Sequence, residues 1–288
     1  MKKRLLFAVS VPLAIGAIYF VAIPQVLDGQ FKKELAPCLT TLPEKVVAAA
    51  GTFDSDPFVK NPVTESSAAT AAQKVEAYQS LTRRYQDEIK IAREKIEEAE
   101  KTINSYTPPT PRSLPLLKSK TTDKQRAARC QEYVAHSRSY LTEHKAVVAW
   151  FEKNYDDSRA LQSKYGALLS AVQQRDANRF IRVAEDLTVL QERLLKDHAT
   201  AKPPESVAAF DQFALEQEKQ MLEIARQNVV ALRRGDSTGS DMLAAQRARI
   251  ADQLNVQYVK FLPALHTKSK LSQFISKEKE LRAGLASS

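Results

Sequence analysis

Between Thr64 and Asn104 the chain contains neither proline nor glycine. Ala68, Ala71, Val75, Tyr78, Thr82, Tyr85, Ile89, Ala92, Ile96, Ala99 and Ile103 recur there at alternating steps of three and four, with charged residues between them. That spacing is the a/d pattern of heptads and predicts a long amphipathic helix. At 1.5 Å per residue it would run roughly 60 Å. The proline-rich stretch SYTPPTPRSLPLLKSK breaks it. A second long helix is expected from near Thr122, where Thr-Thr-Asp offers caps. Its stripe is Cys130, Val134, Ser137, Leu141, His144, Val148, Phe151, Tyr155 and Ser158. The register slips at Leu161, resumes at Tyr165, Leu169 and Val172, and is loosened by Gly166. Two such helices joined by a linker predict a long antiparallel coiled-coil hairpin.

Shorter helical stretches follow. Phe180, Val183, Leu187, Leu190 and Leu194 share one face, and AKPPES then resets the chain, with Pro204 suited to a first turn. Residues 205–234 read as a fourth helix carrying Val207, Phe210, Met221 and Ile224, closed by Gly235. A fifth runs from about Ser240 to Leu262 and is expected to stop at Pro263. The two hairpin stripes share no duplicated sequence. Residues 28–63 hold Pro37, Pro43, Pro57 and Pro62 and read as a tether with loops, in which KVVAAAG is a short helix closed by Gly51. The core is therefore assigned to a bundle over 64–262, with 263–288 as a C-terminal tail.

The amino end has a different texture. Lys2, Lys3 and Arg4 precede a charge-free run that reaches Leu27, of which Leu5–Ile23 is mostly apolar. A cleaved secretory signal has a shorter apolar core, and cleavage after Gly16 would leave Ile18, Tyr19 and Phe20 at the start of the mature chain. The run is long enough to span a bilayer. Residues 5–27 are therefore read as an uncleaved transmembrane signal anchor, with 1–4 as its basic cytoplasmic end. This expectation puts the chain in a bacterial inner membrane as a single-pass protein with its C-terminal domain in the periplasm. ELAPC before Cys38 resembles a lipid-attachment box only faintly, because Pro37 and the charges Lys32, Lys33 and Glu34 do not fit one.

Composition supports the helical reading. The 288 residues include only 7 Gly, and good helix formers dominate. The expected fold class is all-α: one N-terminal transmembrane helix, then an elongated extracytoplasmic bundle built on the hairpin. The net charge is +9, concentrated in the first four residues and in the tail. A near-neutral middle lacks the dense basic face of a nucleic-acid binder. The few glycines exclude most phosphate-cradling loops, no Gly-x-Ser-x-Gly occurs, and Glu97-Glu98 sits on a solvated face. No catalytic residue, cofactor or metal is predicted, and the chain is not read as an enzyme.

Cys38 and Cys130 are the two cysteines, and an extracytoplasmic setting makes them the disulfide candidate. Glu132, His136, Tyr140 and His144 lie four apart, a spacing open to a metal, but they read as a polar strip beside the seam. Arg-Gly-Asp at 234–236 reads as a helix stop followed by turn and cap residues. Tyr78, Tyr85, Tyr155 and Tyr165 fall on the seams, as core packing or as an aromatic ligand cleft. In the tail, Lys260, Lys268, Lys270, Lys277, Lys279 and Arg282 are the partner-contact candidates. They suit an envelope protein or an anionic envelope surface, and the alternative for the tail is a last helix packed on the bundle through residues such as Leu281 and Leu285. The leading expectation is a membrane-anchored scaffold or adaptor that binds or spaces partners in the cell envelope, with homo-oligomerisation open. The alternative is a small-molecule sensor or carrier, favoured by a pocket lined with several tyrosines and a buried charge.

Overall fold

The computed structural model describes residues 23–51, 71–110, 121–267 and 269–286, and within helices it leaves out the side chains of 71–82 and a few others. All regular structure among them is helical: α1 Ile23–Leu39, α2 Thr41–Ala50, α3 Ala71–Ser105, α4 Thr121–Gln173, α5 Ala177–Thr200, α6 Ala208–Arg233, α7 Ser237–Thr267 and α8 Lys270–Ala286. Among the described residues no helix is long and apolar enough to cross a membrane. The anchor expected over 5–27 lies outside the described residues except for its last five, which belong to α1.

The chain divides into two compact units. The first takes α1 and α2, the α3 residues from Glu94, the α4 residues up to Thr142, and α8 from Phe274. Here the tether reading of 28–63 is corrected for the part that is described. Phe31, Leu35, Cys38, Leu42, Val46 and Ala49 are all buried, at a helical spacing that the prolines had obscured. Pro43 sits in the first turn of α2, where its missing amide has no intrahelical partner to lose. Pro37 lies near the end of α1, and Thr40 closes that end with its amide and hydroxyl both donating to the Ala36 carbonyl, at 3.2 and 3.0 Å. Ile96, Ala99 and Ile103 of α3 complete the core with Cys130, Val134 and Leu141 of α4.

The C-terminal stretch takes the form of a last packed helix: from Lys270 it is α8, which buries Leu281 and Leu285 within this first unit. It makes a second buried row on α4: Tyr133 donates to Glu278 Oε1 at 3.2 Å, and the Tyr140 ring lies 6.3 Å from that of Phe274. Burial raises the Tyr133 phenol above its ordinary range, and the neighbouring Glu278 charge adds to this.

The second unit takes α3 up to Arg93, α4 from Glu143, and α5, α6 and α7. Its ion pairs give the directions. Lys164 meets Asp186 at 3.1 Å, Arg226 meets Glu192 at 2.9 Å, and Arg233 meets Glu185 at 2.7 Å, so α6 runs antiparallel to α5. Rings of Trp150 and Phe261 approach to 6.1 Å and Arg247 bonds the Tyr165 hydroxyl, so α7 runs antiparallel to α4. The result is an up-down four-helix bundle. One turn is used twice. Asp176 N bonds Ala171 O and Asp236 N bonds Ala231 O, each at 3.0 Å, after a left-handed residue: Arg175 at φ 54° and Gly235 at φ 69°. The following aspartate caps the next helix, accepting from Arg179 N at 2.9 Å and Gly239 N at 2.8 Å. Pro263 does not end α7, which continues to Thr267. Proline withholds the single amide that would bond residue 259, and the helix runs on across that one missing bond.

Candidate functional site: an aromatic cleft beside a buried histidine

The chemistry of the second unit collects where the last turn of α5, the first turns of α6 and the middle of α4 meet. His198 is buried near the end of α5. Its Nε2 lies 2.9 Å from Asp211 Oδ1 and its Nδ1 lies 2.7 Å from Glu218 Oε2. Asp211 and Glu218 stand seven apart on α6, two turns along one face, which lets both reach the same imidazole. Trp150 of α4 donates its indole N–H to Asp211 Oδ1 at 2.5 Å. Asp211 is itself buried, at 6% exposure, so both of its partners offset the cost of enclosing a carboxylate. The hydrogen bond to Glu218 raises His198 above its ordinary value, against burial that lowers it, with the Glu218 and Asp211 charges adding to the rise.

Against this cluster lies a cleft of about 270 Å³. Tyr85 of α3, Trp150, Phe151 and Tyr155 of α4, Phe210 of α6 and Tyr258 of α7 line it. The rings form a continuous wall. Tyr85 lies 5.7 Å from Tyr155, Trp150 lies 6.1 Å from Phe210, and Phe210 lies 5.7 Å from Tyr258. Behind them Phe261 stacks on Phe210 at 4.6 Å, which fixes the orientation of that ring. Glu218 is the one charged residue of the lining, and Asn154, Ser158 and Gln162 supply neutral polar groups. Two neighbouring cavities share these residues. One, of about 230 Å³, is bounded by His198, Glu218 and Gln191, and the other, of about 480 Å³, by His198, Asp211 and the 201–205 loop. Gln191 Oε1 is buried with no hydrogen-bond partner among the described residues, so the smaller cavity presents a polar atom still to be satisfied.

The residues singled out from sequence distribute unevenly. Cys38 and Cys130 are bonded to one another in the first unit, with Cα atoms 6.1 Å apart. The Tyr106 hydroxyl sits 3.4 Å from Cys130 Sγ and donates to Glu34 O at 3.0 Å, and burial pushes its pKa up to about 12. The polar strip on α4 is divided among separate partners: Glu132 faces Lys277 at 3.8 Å, and His136 Nε2 lies 2.9 Å from Phe274 O. Tyr85 and Tyr155 meet in the cleft, Tyr165 bonds Arg247 outside it, and the side chain of Tyr78 lies outside the described residues. Of the basic candidates, Lys270 pairs with Glu205 at 2.5 Å, Lys277 with Glu280 at 3.0 Å and Arg282 with Glu278 at 3.7 Å. Lys260 and Lys279 are exposed, and Lys268 lies outside the described residues.

Sequence reasoning missed Trp150, His198, Asp211, Glu218 and Tyr258. One signal was available: Trp150 is the only tryptophan, five residues before a seam tyrosine. The pairing of His198 with two carboxylates across a loop has no local signature. No family model, curated protein or solved structure matches the chain.

Proposed function

We propose that the chain is a small-molecule binding protein, a sensor or carrier, whose ligand sits in the aromatic cleft of the four-helix unit. One observation carries this: a cleft of about 270 Å³ walled by six aromatic side chains and adjoining a hydrogen-bonded His-Asp-Glu cluster whose histidine and aspartate are buried. Packing alone favours filling such a space, because voids in a core forfeit contact energy. Ligand sites are mostly apolar clefts with a few placed polar groups, and this composition matches. The charge-free run before Asp28 supports carrying the unit outside the cytoplasm on a single anchor in a bacterial inner membrane, with α3 and α4 as its antiparallel hairpin. The scaffold reading is the weaker one. It rests on the anchor and the long hairpin, and three of the six basic side chains offered as its contact surface are engaged with carboxylates of the chain itself.

Native mass spectrometry of the full chain extracted from membranes tests the proposal. The expected result is a bound small-molecule mass, lost in Ala214→Phe, which fills the cleft from a buried position on α6. A bare chain mass, together with no melting shift across a broad panel of small metabolites, would refute ligand binding.

A further inference from the structure

We propose that the cleft's ligand is a small organic cation, one that presents a quaternary or methylated ammonium group to the aromatic wall. This rests on the ligand-binding reading above and narrows it to a chemical class. The lining decides the sign of the charge. It contains no Lys, Arg or His, and its one charged residue is the carboxylate of Glu218. The faces of Trp, Tyr and Phe carry negative quadrupole density, and they attract a cation most when it has left water. Six such rings and one carboxylate disfavour an anion.

A neutral apolar occupant fits the walls but adds no positive charge beside Glu218, which shares one imidazole with Asp211. The neighbouring cluster does not reverse the balance. Asp211 and Glu218 are two carboxylates around one imidazole, so even with His198 charged the group stays net negative. Trp150 is fixed by its bond to Asp211, and Phe210 by its stack on Phe261, so two walls are held in place before the ligand arrives. The volume, near the lower end for ligand pockets, suits a headgroup-sized molecule. Asn154 and Ser158 offer hydrogen bonds to a hydroxyl or carbonyl on its far side.

Isothermal titration calorimetry on the full chain in detergent, with choline as probe, tests this against its neutral isostere, in which a tert-butyl group replaces the trimethylammonium. Choline should bind, and the isostere should bind about tenfold more weakly or worse. Glu218→Gln and Tyr258→Leu should each weaken choline about tenfold, whereas Tyr258→Phe, which keeps the ring, should bind as the wild type does. Equal binding of choline and the isostere would overturn the cation class and leave ligand binding standing. No choline binding, or binding indifferent to both weakening substitutions, would overturn the proposal outright.

Discussion

At the scale of the residue, the sharpest contrast is between Arg175 and Gly235. They occupy the same left-handed position in the same turn, at φ 54° and 69°, and only one of them lacks a Cβ. Left-handed backbone costs an L-residue roughly 1–2 kcal/mol, part of which is returned by the smaller unfolded-state entropy of a non-glycine residue. Arg175→Gly should therefore raise stability by up to about 1 kcal/mol, and Gly235→Ala should lower it by about the same amount, measured by urea unfolding. Effects of one sign would mean that the two turns differ. The seam of α3 gives a second contrast. Ile89 and Ile96 are 4% and 1% exposed, while Glu97 is exposed. Ile89→Ala and Ile96→Ala should each cost about 2–5 kcal/mol, and Glu97→Ala no more than about half a kcal/mol. This register was legible from sequence because steps of three and four over an unbroken run leave one face to bury. Tyr133, Tyr140 and Val147, buried beside the predicted stripe of α4, were not legible. A second buried row implies a further packing helix, which a single helix's own period does not reveal.

Among the elements, α1 and α2 are where local chemistry misled. Four prolines made 28–63 look like loop, yet within the described part Pro43 stands where an amide is dispensable and Pro37 stands near a helix end. In 263–288 the packed-helix alternative holds, since Leu281 and Leu285 lie on the same face of α8 and are buried. The disulfide joins α1 to α4 across 92 residues. Replacing Cys38 and Cys130 by serine should cost about 2–5 kcal/mol in thermal unfolding. The loss should be confined to the first unit's transition, and a shift confined to the Trp150 signal of the second unit would contradict that assignment. Where α5 meets α6, His198 sets a pH dependence. Its pKa is raised in the folded state above 6.5, chiefly by the bond to Glu218, with Asp211 as its second carboxylate and Trp150 bonded to Asp211. The stabilisation is therefore fully present below about pH 6.5 and is lost as pH rises through the folded value. Melting temperatures should fall over that window, and the slope should flatten in His198→Gln. An identical slope in the variant would place the titration elsewhere.

On the scale of the whole molecule, the all-helical class was legible in seven glycines and long unbroken runs, because both follow from helix propensity. The cleft was legible only in part. Tyr85 and Tyr155 were open to an aromatic ligand cleft, but the wall is assembled from α3, α4, α6 and α7, and no local pattern joins Trp150, Phe210 and Tyr258 to them. The proposed anchor gives a further expectation: the full chain should fractionate with membranes and resist alkaline carbonate extraction, and a chain lacking 1–27 should not. The cleft is tested most directly through Trp150, which is the only tryptophan and lies in its wall, with Ala214→Phe separating the cleft from the neighbouring cavity that Trp150 also lines. In a choline titration of the full chain, the account predicts a saturable change in Trp150 emission, with the same midpoint as the calorimetric binding curve and absent in Ala214→Phe. Emission that stays constant while choline binds would put the ligand somewhere other than the aromatic cleft and contradict the account.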